Sequence, residues 1–381
     1  MEMFEVNLKD NLYKLWNRMS SGTYFPSPVL LVEIPKKDGG VRPLGIPTIT
    51  DRIAQTVVKL TLEPNIEPYF HQDSYGYRPN KSALEAVGIT RRRCWQYNWV
   101  IDIDIKGFFD NLDHELMIKA LHKHTKCKWV LLYIERWLKS PMQKGENLIA
   151  RDKGTPQGGV ISPLLANLYL HYALDMWICR NYPEISFERY ADDAVLHCNT
   201  KENAEEILTA INGRLKECRL ELHPQKSKIV YCKDDDRFDN YSITKFDFLG
   251  YTFRSRRSKN RWGKHFVNFS PAVSSNAKKS MLQKMRNWKV HLRSDKSIED
   301  ISHMFNSTFR GWINYYGKYY KSELYCVFRH FNRTLIRWAM RKYKSLRGHK
   351  TRAEYWLGRI ARKEPYLFYF WKIGLKPAIE Q

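Results

Sequence analysis

The chain has 381 residues and a formal net charge of +24, with 43% hydrophobic and 14% aromatic residues. That length accommodates two or three domains and a sizeable core. No apolar run approaches a membrane span and no signal-peptide pattern opens the chain, while the 7 cysteines lack a Cys-x-x-Cys spacing, which argues against zinc and a disulfide framework and for a reducing cytoplasm.

Periodicity predicts an amphipathic helix over residues 4–19, then a hairpin over 30–46 turned by Asp38-Gly39-Gly40. Helices are expected over 53–62 and 82–97, and the basic run Arg91-Arg92-Arg93 on the second reads as a template grip or as a solvated face. Strict alternation from Val100 to Ile105 makes a strand. Its Ile101, Ile103 and Ile105 enter a core, while Asp102 and Asp104 share the other face. Further helices are expected over 114–123, 163–180 and 204–220.

Gly154-Thr155-Pro156-Gln157-Gly158-Gly159 forms a loop in which backbone can approach a ligand closely, with Ser162 as N-cap and Pro163 as the first helical residue. Next comes Phe187-Glu188-Arg189-Tyr190-Ala191-Asp192-Asp193-Ala194-Val195-Leu196. Apolar, β-favouring residues flank the acidic pair, which places it at the tip of a hairpin. Alone, such a pair reads as a solvated turn. Combined with the acidic face of the strand, which carries both Asp102 and Asp104, it supplies the carboxylates that a two-cation phosphoryl-transfer site requires. Oxygen-rich clusters of this kind suit magnesium.

Asp234-Asp235-Asp236 reads as a solvated loop and residues 254–264 as a basic, polar loop. Ser297 with Asp300 three residues on starts a helix in the manner of a capping box. A longer helix over 322–344 carries Arg329, Arg333, Arg337 and Arg341 along one stripe and Leu324, Phe328, Phe331, Leu335 and Trp338 on the other side. From Tyr251 onward 30 Lys and Arg stand against 7 Asp and Glu, so the first 250 residues are nearly neutral. A basic region so rich in Trp, Tyr and Phe suits a polyanion, through phosphate neutralisation and stacking.

The order of these segments resembles the reverse transcriptase/maturases encoded by group II introns. The likeness runs from about residue 4 to residue 371. It is carried by Tyr190-Ala191-Asp192-Asp193, by residues 154–163, and by Ile34-Pro35-Lys36-Lys37-Asp38-Gly39-Gly40-Val41-Arg42-Pro43-Leu44-Gly45-Ile46-Pro47. Asp73-Ser74-Tyr75-Gly76-Tyr77-Arg78-Pro79, Phe246-Asp247-Phe248-Leu249-Gly250-Tyr251 and Arg310-Gly311-Trp312-Ile313-Asn314-Tyr315-Tyr316 match as well. The resemblance implies an α+β right-hand polymerase, whose fingers (1–98) and palm (99–235) hold a βαβ-type mixed sheet. An α-helical thumb/maturase domain (236–381) follows, without an endonuclease domain. The usual stretch ahead of the fingers is mostly missing, which leaves open whether Met1 is the native start.

The resemblance also implies roles. Asp104, Asp192 and Asp193 would be the catalytic ligands of two magnesium ions, with manganese as a substitute. Asp104 is preferred to Asp102 because the family has an aromatic five residues later, here Phe109, against the ribose 2′-hydroxyl. Lys36, Arg42, Gln157, Gly158 and Lys226 would meet the incoming deoxynucleoside triphosphate or its pyrophosphate. Leu249, Gly250 and Tyr251 would form the primer grip, and the four stripe arginines would bind RNA. Expected partners are the group II intron RNA, an RNA template with its DNA primer, and target DNA, for splicing and retrotransposition of a mobile element. The alternatives are a splicing maturase with little polymerase role and a free-standing or defence-related reverse transcriptase.

Overall fold

The computed structural model describes residues 2–35 and 40–377. Lys36, together with Asp38 and Gly39 of the expected turn, lies outside the described residues. The chain divides into two compact units, Met1–Val230 and Tyr231–Gln381. The first is a mixed α/β unit, and the second is a small sheet followed by helices.

The strands of the first unit are β1 (Val29–Pro35), β2 (Val41–Ile46), β3 (Trp99–Ile103), β4 (Met142–Lys144), β5 (Asn147–Ile149), β6 (Ser186–Tyr190), β7 (Asp193–Cys198) and β8 (Lys228–Tyr231), the last ending at the unit boundary. One sheet runs β2-β1-β4-β5, with β1 antiparallel to β2 and parallel to β4. The other runs β6-β7-β3-β8 and carries the acidic residues. Val100, Ile101 and Ile103 on β3 and Val195 and Leu196 on β7 are fully buried, as β-branched and aliphatic residues of a covered sheet should be. Helices Ala83–Gln96 and Lys201–Glu217 pack on this sheet, each started by a hydroxyl cap, Ser82 and Thr200.

Several expectations are corrected here. The first helix breaks at Val6 and Asn7 into Glu2–Glu5 and Leu8–Ser20; the second piece buries Leu15 and Met19 on one face, as an amphipathic helix should, while Leu8, Leu12, Tyr13 and Trp16 are exposed. Ser162 does not cap: its hydroxyl pairs with that of Thr155 at 2.9 Å, and the helix Ser162–Leu170 has no side-chain cap. The expected single helix over 163–180 contains a π-helical turn, His171–Asp175, before continuing as Met176–Asn181. A helix that periodicity reading passed over, Lys128–Lys139, buries Val130, Tyr133, Ile134, Trp137 and Leu138. Within the basic run, Arg93 is half-buried and pairs with Glu188 and with Asp73, the latter at 2.8 Å, while Arg92 is exposed.

In the second unit β9 (Lys245–Phe248), β10 (Tyr251–Lys259) and β11 (His265–Val273) form a sheet of order β11-β10-β9. Residues 254–264, expected as a loop, are therefore the larger part of β10 and the turn of a hairpin registered from Tyr251↔Val273 to Lys259↔His265. The strand was hidden because an arginine fills an inward position. Arg256 is buried, donating to the carbonyls of Ser270 and Thr252 and to Glu323. Helices Ser275–Asn287, Ile298–Tyr316, Tyr325–Lys342 and Lys350–Lys363 enclose an aromatic core of Phe305, Phe309, Phe331, Trp338 and Trp371. Most aromatics of this basic region thus serve packing; Trp288, for example, stacks on Phe305 at 4.1 Å. Ser297 and Asp300 form the expected capping box. Among the described residues no helix is long and apolar enough to cross a membrane.

Candidate active site

The antiparallel register of β3 and β7 brings the acidic residues together. Asp102 lies opposite Val195 and Ile103 opposite Ala194, so one further step sets Asp104 beside Asp193. Tyr190 pairs with Asp193 across the β6–β7 turn, which leaves Ala191 and Asp192 at the tip. Ala191 has φ +57°, a left-handed conformation that costs an alanine about 1 kcal/mol and needs outside support.

That support is Arg189, which is fully buried. Its Nε and Nη2 donate to the Asp175 carboxylate at 2.7 and 2.6 Å, and its Nη1 donates to Asn167 Oδ1 and to the Ala191 carbonyl, both at 3.0 Å. Asn167 in turn donates to the Gly76 carbonyl at 2.6 Å. A Cβ on Gly76 would stand 2.4 Å from the Ala191 nitrogen, so only glycine allows this approach to the turn. The sequence reading assigned no role to Arg189, Asp175, Asn167 or Gly76. The available signal was charge in apolar surroundings: an arginine inside one strand and an aspartate inside a helix call for each other.

The loop at residues 154–159 is tied to both neighbours. Thr155 N donates to the Phe109 carbonyl at 2.7 Å, and Gly45 N donates to the Gln157 carbonyl at 2.9 Å. Gly158 has φ +130°, and a Cβ there would meet the Gly45 carbonyl at 2.5 Å. Arg42, exposed on β2, donates from Nε to Gln157 Oε1 at 2.7 Å. Arg42, Gln157 and Gly158 are thus brought together, and Phe109, whose carbonyl holds Thr155 of the same loop, is buried at the start of helix Phe108–Asn111, which follows β3.

Residues 223–227 clamp Asp104 from the other side. His223 N donates to the Asp104 carbonyl at 2.8 Å, and the Ser227 hydroxyl bridges the Asp104 backbone at 3.2 Å. Lys226 Nζ lies 3.7 Å from the Asp104 carboxylate and Lys228 Nζ 3.5 Å from that of Asp102.

Asp193 keeps part of its surface open to water, yet the protein crowded around it and the charges of Asp192, Asp104 and Asp102 push its pKa up to about 7, against Lys226, which lowers it. Asp192 is also raised, by burial first and by Asp104. Carboxylates held so unfavourably fit a divalent cation in chemical type. Among the described residues no three acidic, His or Cys side chains close around one point tightly enough to cage an ion.

The family model for reverse transcriptase (RNA-dependent DNA polymerase) matches residues 34–253, more than half of the chain, and that for the group II intron maturase-specific domain matches residues 278–356. The chain belongs to the group II intron reverse transcriptase/maturase family. It is 32% identical to protein YkfC of Escherichia coli strain K12, over 68% of this chain and 74% of that protein. It is 28% identical to the group II intron-encoded protein LtrA of Lactococcus lactis subsp. cremoris, over 81% of this chain but only 64% of that protein. The putative COX1/OXI3 intron 2 protein of Saccharomyces cerevisiae is 27% identical over 61% of this chain and 34% of its own length.

Within the reverse transcriptase match, but in the second unit, Leu249 (φ +51°) and Gly250 (φ +78°) make the turn between β9 and β10. A family motif holds it: Tyr315 donates from its hydroxyl to the Leu249 carbonyl at 2.8 Å, and the Tyr316 ring packs on Gly250. Tyr251 is fully buried and donates to the Tyr315 carbonyl, so its side chain supports the turn from inside. In the maturase-specific domain, Arg329, Arg333, Arg337 and Arg341 are all exposed on helix Tyr325–Lys342, and among the described residues none of the four reaches a carboxylate.

Proposed function

We propose that this chain is an RNA-directed DNA polymerase of right-hand form, with fingers over 1–98, palm over 99–235 and a thumb doubling as a maturase surface over 236–381. It would copy an RNA template from a DNA primer with deoxynucleoside triphosphates, and bind its group II intron RNA to assist splicing and insertion into target DNA, acting in the cytoplasm. One observation carries the reading. Asp104, Asp192 and Asp193 gather at the ends of two paired strands, and the protein crowded around Asp193, with the charges of Asp192 and Asp104, raises its pKa.

Asp104, Asp192 and Asp193 would hold two magnesium ions, or manganese in their place. When bound, these supply activation of the primer 3′-oxygen and neutralisation of charge at the leaving group. Arg42, together with Lys36, would grip the triphosphate. Gln157 and Gly158 would receive sugar and base, where a side chain on residue 158 would block the approach. Phe109 would close the pocket against a ribose 2′-hydroxyl, and Lys226 would meet the departing pyrophosphate. Leu249, Gly250 and Tyr251 would seat the primer end, and the four stripe arginines would neutralise intron phosphates.

Purified protein given an RNA template, an annealed DNA primer, deoxynucleotides and magnesium should extend the primer. Folded protein that fails to extend any primer would overturn the polymerase reading. Extension without affinity for a group II intron RNA would instead favour a free-standing enzyme.

A further inference from the structure

We infer that the tip of the β10–β11 hairpin is a stacking site for an unpaired RNA base. The inference rests on the reading of the second unit as a nucleic-acid-binding body and adds to it a particular place and contact.

Six tryptophans lie in the second unit, and among the described residues only Trp262 is exposed, at 75%. It does not sit on a loose loop. Asn260 N donates to the Lys264 carbonyl at 2.9 Å and Gly263 N to the Asn260 carbonyl at 3.0 Å. Asn260 Oδ1 accepts from Trp262 N at 3.0 Å and from Lys264 N at 2.9 Å. Gly263, at φ +87°, completes the reversal that such a turn requires. The indole is therefore presented by a closed, internally bonded turn at the end of two nine-residue strands.

The surroundings indicate what it meets. The Arg261 guanidinium lies 4.0 Å from the centre of the Trp262 ring, while most of the ring remains open to solvent. Arg257, Lys259 and Lys264 are exposed nearby, and no Asp or Glu lies between Arg254 and Lys264. The nearest acidic run meets the hairpin farther back, where Asp235 accepts from Val267 N at 2.7 Å. A rigid indole backed by a guanidinium and ringed with cations matches how proteins hold single strands, with stacking on the base and neutralisation of the flanking phosphates. A duplex offers no free base face to such a platform, so the site favours unpaired RNA. A lone surface tryptophan needs no explanation. The bonded turn and the uncompensated cations set this one apart.

The test uses the full chain, with a labelled uridine-rich single-stranded RNA and a blunt RNA duplex as probes. Trp262→Ala should weaken single-strand binding about tenfold, as expected for one lost stacking contact, and change duplex binding less than twofold. Trp262→Phe should recover most of the loss, and both variants should keep the wild-type salt slope and melting temperature. Lys259→Gln with Lys264→Gln should instead flatten the slope. Equal single-strand affinity in wild type and Trp262→Ala, or equal losses for both probes, would overturn the inference. Failure of the wild type to bind either probe would overturn the nucleic-acid reading as well, and is distinguishable from those outcomes.

Discussion

Arg189 Nη1 donates to the Ala191 carbonyl across 3.0 Å, so a fully buried cation holds the left-handed residue that precedes Asp192. The same guanidinium is fixed by the two bonds it donates to the Asp175 carboxylate, itself placed by the π-helical turn. Carboxylate orientation at the tip is thus set from inside the fold rather than by the exposed loop.

Arg189→Met should strand Asp175 in the interior and cost roughly 3–5 kcal/mol, about 10 °C in melting temperature. Replacing both partners, Arg189→Met with Asp175→Leu, should recover much of that stability. It should not recover primer extension, since the Ala191 carbonyl still lacks its donor. Thermal unfolding and extension measured on the two variants separate these effects.

The Arg42–Gln157 bond predicts coupling at the proposed nucleotide pocket. Arg42→Ala and Gln157→Ala should each raise KM for deoxynucleotides about tenfold with smaller effects on kcat. The double variant should fall short of the product by about 1 kcal/mol. Fully additive losses in a kinetic double-mutant cycle would show that the two side chains act independently.

Asp193 is raised to about 7 in the fold, above its ordinary carboxylate value. The folded state therefore holds this proton more tightly than the unfolded chain. In buffer free of divalent ions its contribution should be favourable at acid pH and be lost as pH climbs from about 4 to about 7. Asp193→Asn should remove that pH dependence and raise stability at pH 8 by about 1 kcal/mol, a modest figure because water still reaches the group. Magnesium should raise the melting temperature of wild type at pH 8 more than that of the variant. Equal responses would count against Asp193 as a ligand.

On the second unit, Arg329, Arg333, Arg337 and Arg341 changed together to Gln should keep the helix but weaken intron RNA binding. The log–log salt slope should fall by roughly one unit per phosphate contact removed. A titration at several salt concentrations decides it, and an unchanged slope would make the stripe a solvated face.

Period-2 alternation and the flanks of the acidic pair made the strands of the candidate site legible, because one side of β3 must be apolar and the other was marked by Asp102 and Asp104. Capping chemistry made the start at Ser297 legible too. The register of β3 against β7 was not legible, since pairing is a long-range choice. Nor was the β10–β11 hairpin, whose inward Arg256 breaks the apolar pattern and is satisfied only by Glu323 and by carbonyls distant in sequence. Basic and aromatic richness in the last third was read as one binding surface. The fold splits it, with most aromatics inside and the stripe arginines outside.

The most direct measurement is primer extension on an RNA template by Asp192→Ala/Asp193→Ala protein, alongside its affinity for intron RNA. If the acidic turn supplies the chemistry and the second unit the affinity, extension should vanish while RNA binding and thermal unfolding remain close to wild type. Undiminished extension by the double variant would contradict the assignment of this site.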